Sequence, residues 1–253
     1  MSNEYKKLKA RHFIIIVLFS LIMIGFAIWF LFFCRVQTIN IYNNVYTVSE
    51  DIEISSKIKI GNHLFGLDLD ESKKGITENN NYIKSVKISR KIPSQIDIYV
   101  RERTPSFYTE HEGQKYVLSF DLYVLGKYEG ETELVYGLKE LVLPTMQTCE
   151  LGKKIKLLDK DITEYEKILK TILDSEMGEK TTKIELKDKF DVEILYKNKY
   201  TVVFGSHKNL DKKIITCIKA VGHIEEKTPN VTGILYAYNP DEVSFQITGG
   251  SQN

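Results

Sequence analysis

The sequence predicts an α+β protein in which a single N-terminal transmembrane helix precedes two units that combine sheets with helices. Three observations lead to this fold class. The first is an uncharged apolar run at residues 13–34, and the second is the order strand, helix, helix, strand, strand over residues 35–104. The third is a mixture of short strands and two amphipathic helices after residue 104. A chain of 253 residues has room for two domains of ordinary size.

The apolar run is long enough to cross a membrane. A helix over residues 13–34 spans about 33 Å, close to the roughly 30 Å of a bilayer's hydrocarbon core. Aromatic side chains suited to the interface crowd its outer end: Trp29, Phe30, Phe32 and Phe33. A cleaved signal peptide is the alternative, but its apolar region is about 7–15 residues long and ends in small residues. This run is longer and ends in bulky residues before Arg35.

The charges beside the run predict its orientation. Four basic residues precede it against Glu4 alone: Lys6, Lys7, Lys9 and Arg11. By the positive-inside rule, residues 1–12 form a cytoplasmic tail and everything from residue 35 onward lies outside the cytoplasm, in a single-pass protein of the cell membrane. The net charge of +1 gives no general attraction to nucleic acid.

Residues 35–104 predict two helices packed across one face of a three-stranded sheet. The first helix has Ser49 as its N-cap and stops at Gly61, and a second helix covers about residues 70–80. Strands are expected at residues 36–42, 83–88 and 95–101. In the last strand, apolar and polar residues alternate, which predicts a core face and a solvent face: Ile96, Ile98 and Val100 against Asp97, Tyr99 and Arg101.

Several short motifs follow one another directly outside the predicted membrane helix. They are Gly61-Asn62-His63-Leu64-Phe65, Ile83-Lys84-Ser85-Val86, Arg90-Lys91-Ile92-Pro93 and Val100-Arg101-Glu102-Arg103-Thr104-Pro105. In this order and spacing, after one anchor, they resemble the POTRA domain of the FtsQ/DivIB cell-division protein family. The resemblance implies a POTRA domain with the order β-α-α-β-β over residues 35–104.

The remaining residues, 105–247, predict short strands and two helices, with a flexible tail at 248–253. Asp161 opens the first helix, whose apolar stripe recurs at helical spacing: Ile162, Tyr165, Ile168, Leu169, Ile172 and Leu173. The second helix is expected over residues 209–226, and the last two strands at residues 231–238 and 243–247. Residues 116–121 and 200–205 also resemble the β domain of the same family, a mixed β-sheet domain with helices on one face.

Catalytic signatures are not found. The histidines lack a metal-ligand spacing, and the serine of Gly205-Ser206-His207 is not surrounded by a nucleophile motif. Cys149 and Cys217 are expected as small buried hydrophobes, with a disulfide between them left open. The sequence therefore predicts no catalytic, metal or cofactor site, and favours a protein that is not an enzyme. A membrane-anchored extracytoplasmic cell-wall enzyme, with an acidic pair that sequence does not exclude, is the alternative.

The resemblance implies a bitopic scaffold of the bacterial divisome at the division septum. Proteins of this family bind FtsL and DivIC (FtsB in other bacteria) and help to control septal peptidoglycan synthesis by FtsW and its penicillin-binding partner. Partners dock on the last helix and terminal strands by strand addition, which here corresponds to about residues 208–247. Tyr236, Tyr238 and Phe245 are the candidate partner-binding residues; in the alternative interpretation these aromatic side chains fill the core.

Overall fold

A computed structural model describes the protein over residues 2–128 and 137–249. The chain divides into two units, residues 1–102 and residues 103–253. The first unit begins with helix α1 (Ser2–Phe33). Within the described segments, this is the one helix long and apolar enough to cross a membrane, with the candidate span at Arg11–Phe30.

After α1, the first unit has the predicted order β-α-α-β-β. Its elements are β1 (Thr38–Tyr42), α2 (Ser49–Ser56), α3 (Leu69–Asn79), β2 (Ile83–Lys91) and β3 (Gln95–Glu102). The three strands form one sheet in the order β1-β3-β2, in which β3 runs parallel to β1 and antiparallel to β2. Both helices contribute to the core of this sheet, with Ile52 of α2 and Ile76 of α3 fully buried.

The ends of α2 differ from the sequence prediction. Val48, not Ser49, is the N-cap, and the Ser49 hydroxyl instead accepts a hydrogen bond from the Asn44 side chain at 3.0 Å. The helix stops at Lys57, which takes the left-handed conformation (φ 58°) and donates its N–H to Ile54 O. Gly61 lies in the loop beyond (φ 90°), where its N–H donates to Val36 O at 2.7 Å.

The predicted alternation in β3 is confirmed for the three residues that face the core. It is wrong for Asp97 on the opposite face, which was expected to be exposed to solvent. Ile96, Ile98 and Val100 are buried in the core. Asp97 points to the opposite face, yet it is only 3% exposed. Its carboxylate accepts hydrogen bonds from Gln95 Nε2 at 2.6 Å and Asn40 Nδ2 at 3.1 Å. The bond from Gln95 holds the pKa of the Asp97 carboxyl below its ordinary value.

The second unit is built on a nine-stranded mixed sheet. Its strands are β4 (Pro105–His111), β5 (Gln114–Ser119), β6 (Val124–Lys127), β7 (Lys139–Val142), β10 (Thr181–Asp188), β11 (Asp191–Tyr196), β12 (Tyr200–Gly205), β13 (Thr232–Asn239) and β14 (Glu242–Gly249). They lie in the order β14-β13-β12-β11-β10-β7-β4-β5-β6. Strands β7 and β10, β4 and β7, and β12 and β13 pair in parallel, and the other pairs are antiparallel. A separate pair, β8 (Met146–Thr148) and β9 (Lys156–Leu157), was not predicted.

Two helices, α4 (Ile162–Leu173) and α5 (Leu210–Lys227), pack on one face of this sheet. Asp161 is the N-cap of α4, as predicted, and its carboxylate accepts the N–H of Thr163 at 2.9 Å. The buried side chains of α4 and α5 join those of alternate strand residues in a single core. The predicted fold class, a mixed β-sheet domain with helices on one face, is therefore confirmed.

A candidate partner-docking edge

Strand β14 forms one end of the nine-stranded sheet. Among the described strands it pairs with β13 alone, so the backbone groups on its outer side have no neighbouring strand. The opposite end of the sheet is β6, with four residues, whereas β14 has eight. A long edge strand offers a row of unpaired N–H and C=O groups to which another chain can add.

The hydrogen bonds of β13 identify which residues of β14 face outward. The N–H of Gly233 donates to Lys199 O next to β12 at 3.2 Å, so Gly233 and Leu235 direct their backbone groups toward β12. By alternation, Ile234 and Tyr236 direct theirs toward β14, where their register partners are Gln246 and Ser244. The N–H and C=O groups of the remaining alternate residues then face the free edge: Val243, Phe245 and Ile247.

Tyr236 and Tyr238 lie together on the face of the sheet away from the helices. Leu235 and Ala237 alternate with them and are fully buried in the core. The two tyrosine rings stack with their centroids 5.9 Å apart, and the Tyr236 hydroxyl donates to Gln246 Oε1 at 3.2 Å. Tyr238 is 63% exposed. These two candidate residues form an accessible aromatic pair one strand in from the edge.

The ring of Tyr238 depends on a neighbouring glycine. Gly205, at the end of β12, has a positive φ of 63°, and a Cβ there would lie 2.9 Å from Tyr238 Cδ1. The backbone of Gly205 therefore supports the exposed ring and leaves no room for a side chain.

Phe245 faces the opposite way and does not join the tyrosines. Its ring packs against the core at 6.2 Å and 65° from the Tyr200 ring. It also covers Gly233, where a Cβ would lie 2.5 Å from Phe245 Cε2. The structure thus places Tyr236 and Tyr238 on the open face of the sheet. Phe245 lies on the opposite face, where its ring packs β14 against the core. Whether any of the three binds a partner stays a prediction.

Three further apolar residues, which were not among the predicted partner-binding residues, lie beside the tyrosines or on the edge. Val203 and Ile234 are half-buried on the same open face, with Val203 in register with Tyr236. Ile247 on β14 is 52% exposed. The period of two in β12 and β13 is the signal that could have placed Val203 and Ile234 with the tyrosines.

Helix α5 holds the edge hairpin in position. Lys213 is buried at 3% exposure, and its Nζ donates to Phe204 O at 2.9 Å and to Ser206 O at 2.8 Å. Desolvation lowers the pKa of this ammonium group. Three residues along, the Thr216 hydroxyl donates to Pro240 O in the turn between β13 and β14 at 2.7 Å. Hydrogen bonds therefore connect α5 both to the end of β12 and to the β13–β14 turn, and these contacts hold the edge strand in position.

Three groups that could support catalysis, His207 and the thiols of Cys149 and Cys217, are hydrogen-bonded or shielded from solvent. His207 Nδ1 lies 2.9 Å from Lys189 O, so this ring nitrogen is bonded to a backbone carbonyl. The three cysteines, all within the described segments, are free thiols. Burial raises the pKa of Cys149 to about 11 and that of Cys217 to about 12, which disfavours the nucleophilic thiolate. The described residues contain no cluster of acidic, histidine and cysteine side chains that could hold a metal ion.

Comparisons with known proteins agree with this architecture. A family model described as "POTRA domain, FtsQ-type" matches residues 34–103. "Cell division protein DivIB" of Clostridium botulinum strain Hall is 27% identical over 220 residues, covering 83% of this chain and 81% of the relative. The protein of the same name from Clostridium tetani is 25% identical over 212 residues, covering 78% of this chain and 74% of the relative. A third, from Clostridium acetobutylicum, is 38% identical over 84 residues, a third of each chain.

Proposed function

Since this chain is a member of the FtsQ/DivIB family of cell-division proteins, we propose that it is a bitopic scaffold of the divisome that binds other bitopic division proteins. It is a cell-division protein with an FtsQ-type POTRA domain. The proposed partners are FtsL-like and DivIC/FtsB-like proteins, and through them FtsW and a septal penicillin-binding protein. In this role the chain helps to control septal peptidoglycan synthesis without catalysing a reaction itself.

The observation that carries the proposal is the free edge of β14. In this eight-residue strand, alternate residues present their backbone N–H and C=O groups outward, at the end of a sheet that α5 holds in place. A partner that adds a strand here gains main-chain hydrogen bonds and contacts exposed Ile247. Tyr236 and Tyr238 supply an aromatic contact on the open face, and Phe245 keeps β14 seated on the core.

Membrane attachment strengthens such binding. With the membrane anchor inside residues 13–34 and residues 1–12 in the cytoplasm, the POTRA domain (35–104), the β domain (105–247) and the tail (248–253) lie outside the cytoplasm at the septum. Partners with their own membrane helices then meet the edge in two dimensions, which raises their effective concentration.

A reporter fused after Asn253 tests the orientation. Because the basic residues precede the apolar span, we expect a reporter that works only outside the cytoplasm to be active. The matched fusion carries a reporter that works only in the cytoplasm and is expected to be inactive. Activity of the cytoplasmic reporter alone contradicts the topology, and with it a scaffold role outside the cell.

Purification of the tagged full-length chain from membranes of dividing cells tests the assignment of partners. We expect small single-pass division proteins to be retained, because the edge of β14 binds main chain of any suitable extended segment. A truncation after Gly249 keeps β14 and serves as the control, whereas a truncation after Asn239 removes it. Equal recovery of partners by both truncated chains contradicts docking at β14.

A further inference from the structure

The POTRA unit has an apolar and basic surface at the end where the chain leaves α1. We define this basal surface by the exposed apolar residues Ile60, Phe65 and Ile92 and the exposed cations Arg35, Lys59 and Lys91. The three apolar side chains are 69%, 44% and 66% exposed. They lie in the loop after α2 and in the turn between β2 and β3.

Backbone hydrogen bonds bring these two segments to the chain exit. The N–H of Val36 donates to Asn62 O at 2.9 Å, and the N–H of Gln37 donates to Ser94 O at 2.7 Å. The parallel pairing of β1 with β3 starts at Thr38 and Gln95, so both strands run away from α1. The β2–β3 turn and the loop after α2 therefore belong to the same end of the unit as the last turn of α1.

No linker separates the helix from the folded unit. Cys34 and Val36 are buried at 1% and 0% exposure, directly after α1 ends at Phe33. Phe30, in the last turn of α1, packs against the core of the unit, and its ring stacks on that of Phe65 at 5.1 Å. A basal residue is thus in direct contact with the helix that forms the candidate membrane span.

We propose that the basal surface rests on the outer headgroup layer of the membrane that α1 spans. Large apolar side chains mixed with cations are the composition that binds in this layer, where lipid phosphates meet the upper acyl chains. The occupant is the bilayer because the surface is continuous with the span, through Phe30 and Phe65. The POTRA unit then stands in a fixed orientation, with β1 and β3 pointing away from the membrane. This inference rests on α1 being the membrane span of the proposed function.

Tryptophan fluorescence of the full chain in lipid vesicles tests the contact. The vesicles contain phosphatidylcholine and phosphatidylglycerol whose acyl chains carry bromine near the headgroups, because bromine quenches nearby indole rings. In a Trp29→Phe background, which removes the single native tryptophan, we expect Ile92→Trp and Ile60→Trp to lose emission relative to unbrominated vesicles. Val45→Trp is the matched control, since Val45 is 78% exposed and follows β1 beyond its far end; its emission is expected to stay unchanged.

The outcomes separate this inference from the proposed function. Quenching at residues 60 and 92, with none at 45, supports the basal surface. Equal emission ratios at residues 92 and 45 overturn it. The unmodified chain reports on the span through Trp29: if Trp29 is unquenched, the anchor itself is wrong. If Trp29 is quenched and residue 92 is not, the anchor stands and the surface contact fails.

Discussion

Replacing Ile98 by aspartate is expected to unfold the POTRA unit. Ile98 is 0% exposed in β3, the central strand of the sheet, and its register partners are Ile41 in β1 and Ile88 in β2. Its surroundings are aliphatic, so a carboxylate there would have no hydrogen-bond donor or cation. The expected loss is several kcal/mol, comparable with the roughly 5–15 kcal/mol that stabilises a typical domain.

The neighbouring residue supplies the matched control. Asp97 lies on the other face of the same strand, where its carboxylate accepts bonds from Gln95 and Asn40. Asp97→Ile removes this acceptor but leaves two amides at the sheet surface, and we expect a loss of about 1–3 kcal/mol. Urea unfolding of residues 34–253, which retain buried Cys34, measures both changes. A larger loss for Asp97→Ile than for Ile98→Asp contradicts the assigned faces.

Periodicity in the sequence predicts the elements that bury one face. The alternation of isoleucines in β3 and the apolar stripe of α4 both reflect a period imposed by the backbone, so they are visible without any tertiary information. Helix ends are less predictable because competing local bonds decide them. Ser49 has the side chain of an N-cap, but Asn44 engages its hydroxyl, and α2 stops at Lys57 before Gly61 is reached.

Contacts between distant residues account for the remaining differences. Asp97 was predicted to face solvent, and its burial costs less because Asn40, from β1, and Gln95 donate hydrogen bonds to its carboxylate. Strands β8 and β9 have three and two residues, too few to display any period. Their pairing depends on the fold around them and carries no signal of its own in the sequence.

Only part of the candidate docking edge could be predicted from the sequence. A period of two places Tyr236 and Tyr238 on one face, and this much follows from the sequence. The relation of Phe245 to them depends on the register across the hairpin, which shifts between Tyr236 and Asn239. That β14 is an edge depends on strand order, since β13 reaches its place beside β12 through α5. Local residue patterns predict neither the register shift nor the strand order.

Proline at Ile247 is expected to abolish partner capture while leaving the β domain folded. The N–H of Ile247 faces the free edge and its side chain is 52% exposed, so proline removes no internal hydrogen bond of the free protein. It does remove a donor that an added strand needs, and its ring obstructs the approach of that strand. Ile247→Ala keeps the N–H and shortens only the side chain, so this variant is expected to retain capture in large part.

Two further proline variants show that the position decides the effect. The N–H of Gln246 points into the β13–β14 ladder, so Gln246→Pro is expected to lower the melting temperature. Val202 is fully buried in β12 between β11 and β13. Val202→Pro removes a central ladder bond at a cost of about 3 kcal/mol or more and is expected to unfold the domain.

Two measurements on each full-length variant, partner capture and a thermal melt, distinguish two roles of β14. In the first role β14 binds a partner by strand addition, and in the second it only packs on the core. Strand addition requires that Ile247→Pro lose the partner at an unchanged melting temperature and that Ile247→Ala keep it. If folded Ile247→Pro retains the partner fully, main-chain pairing at β14 is wrong. The edge would then serve only to close the core under Phe245, and the partner must bind elsewhere on the chain, with the POTRA unit as the next surface to test.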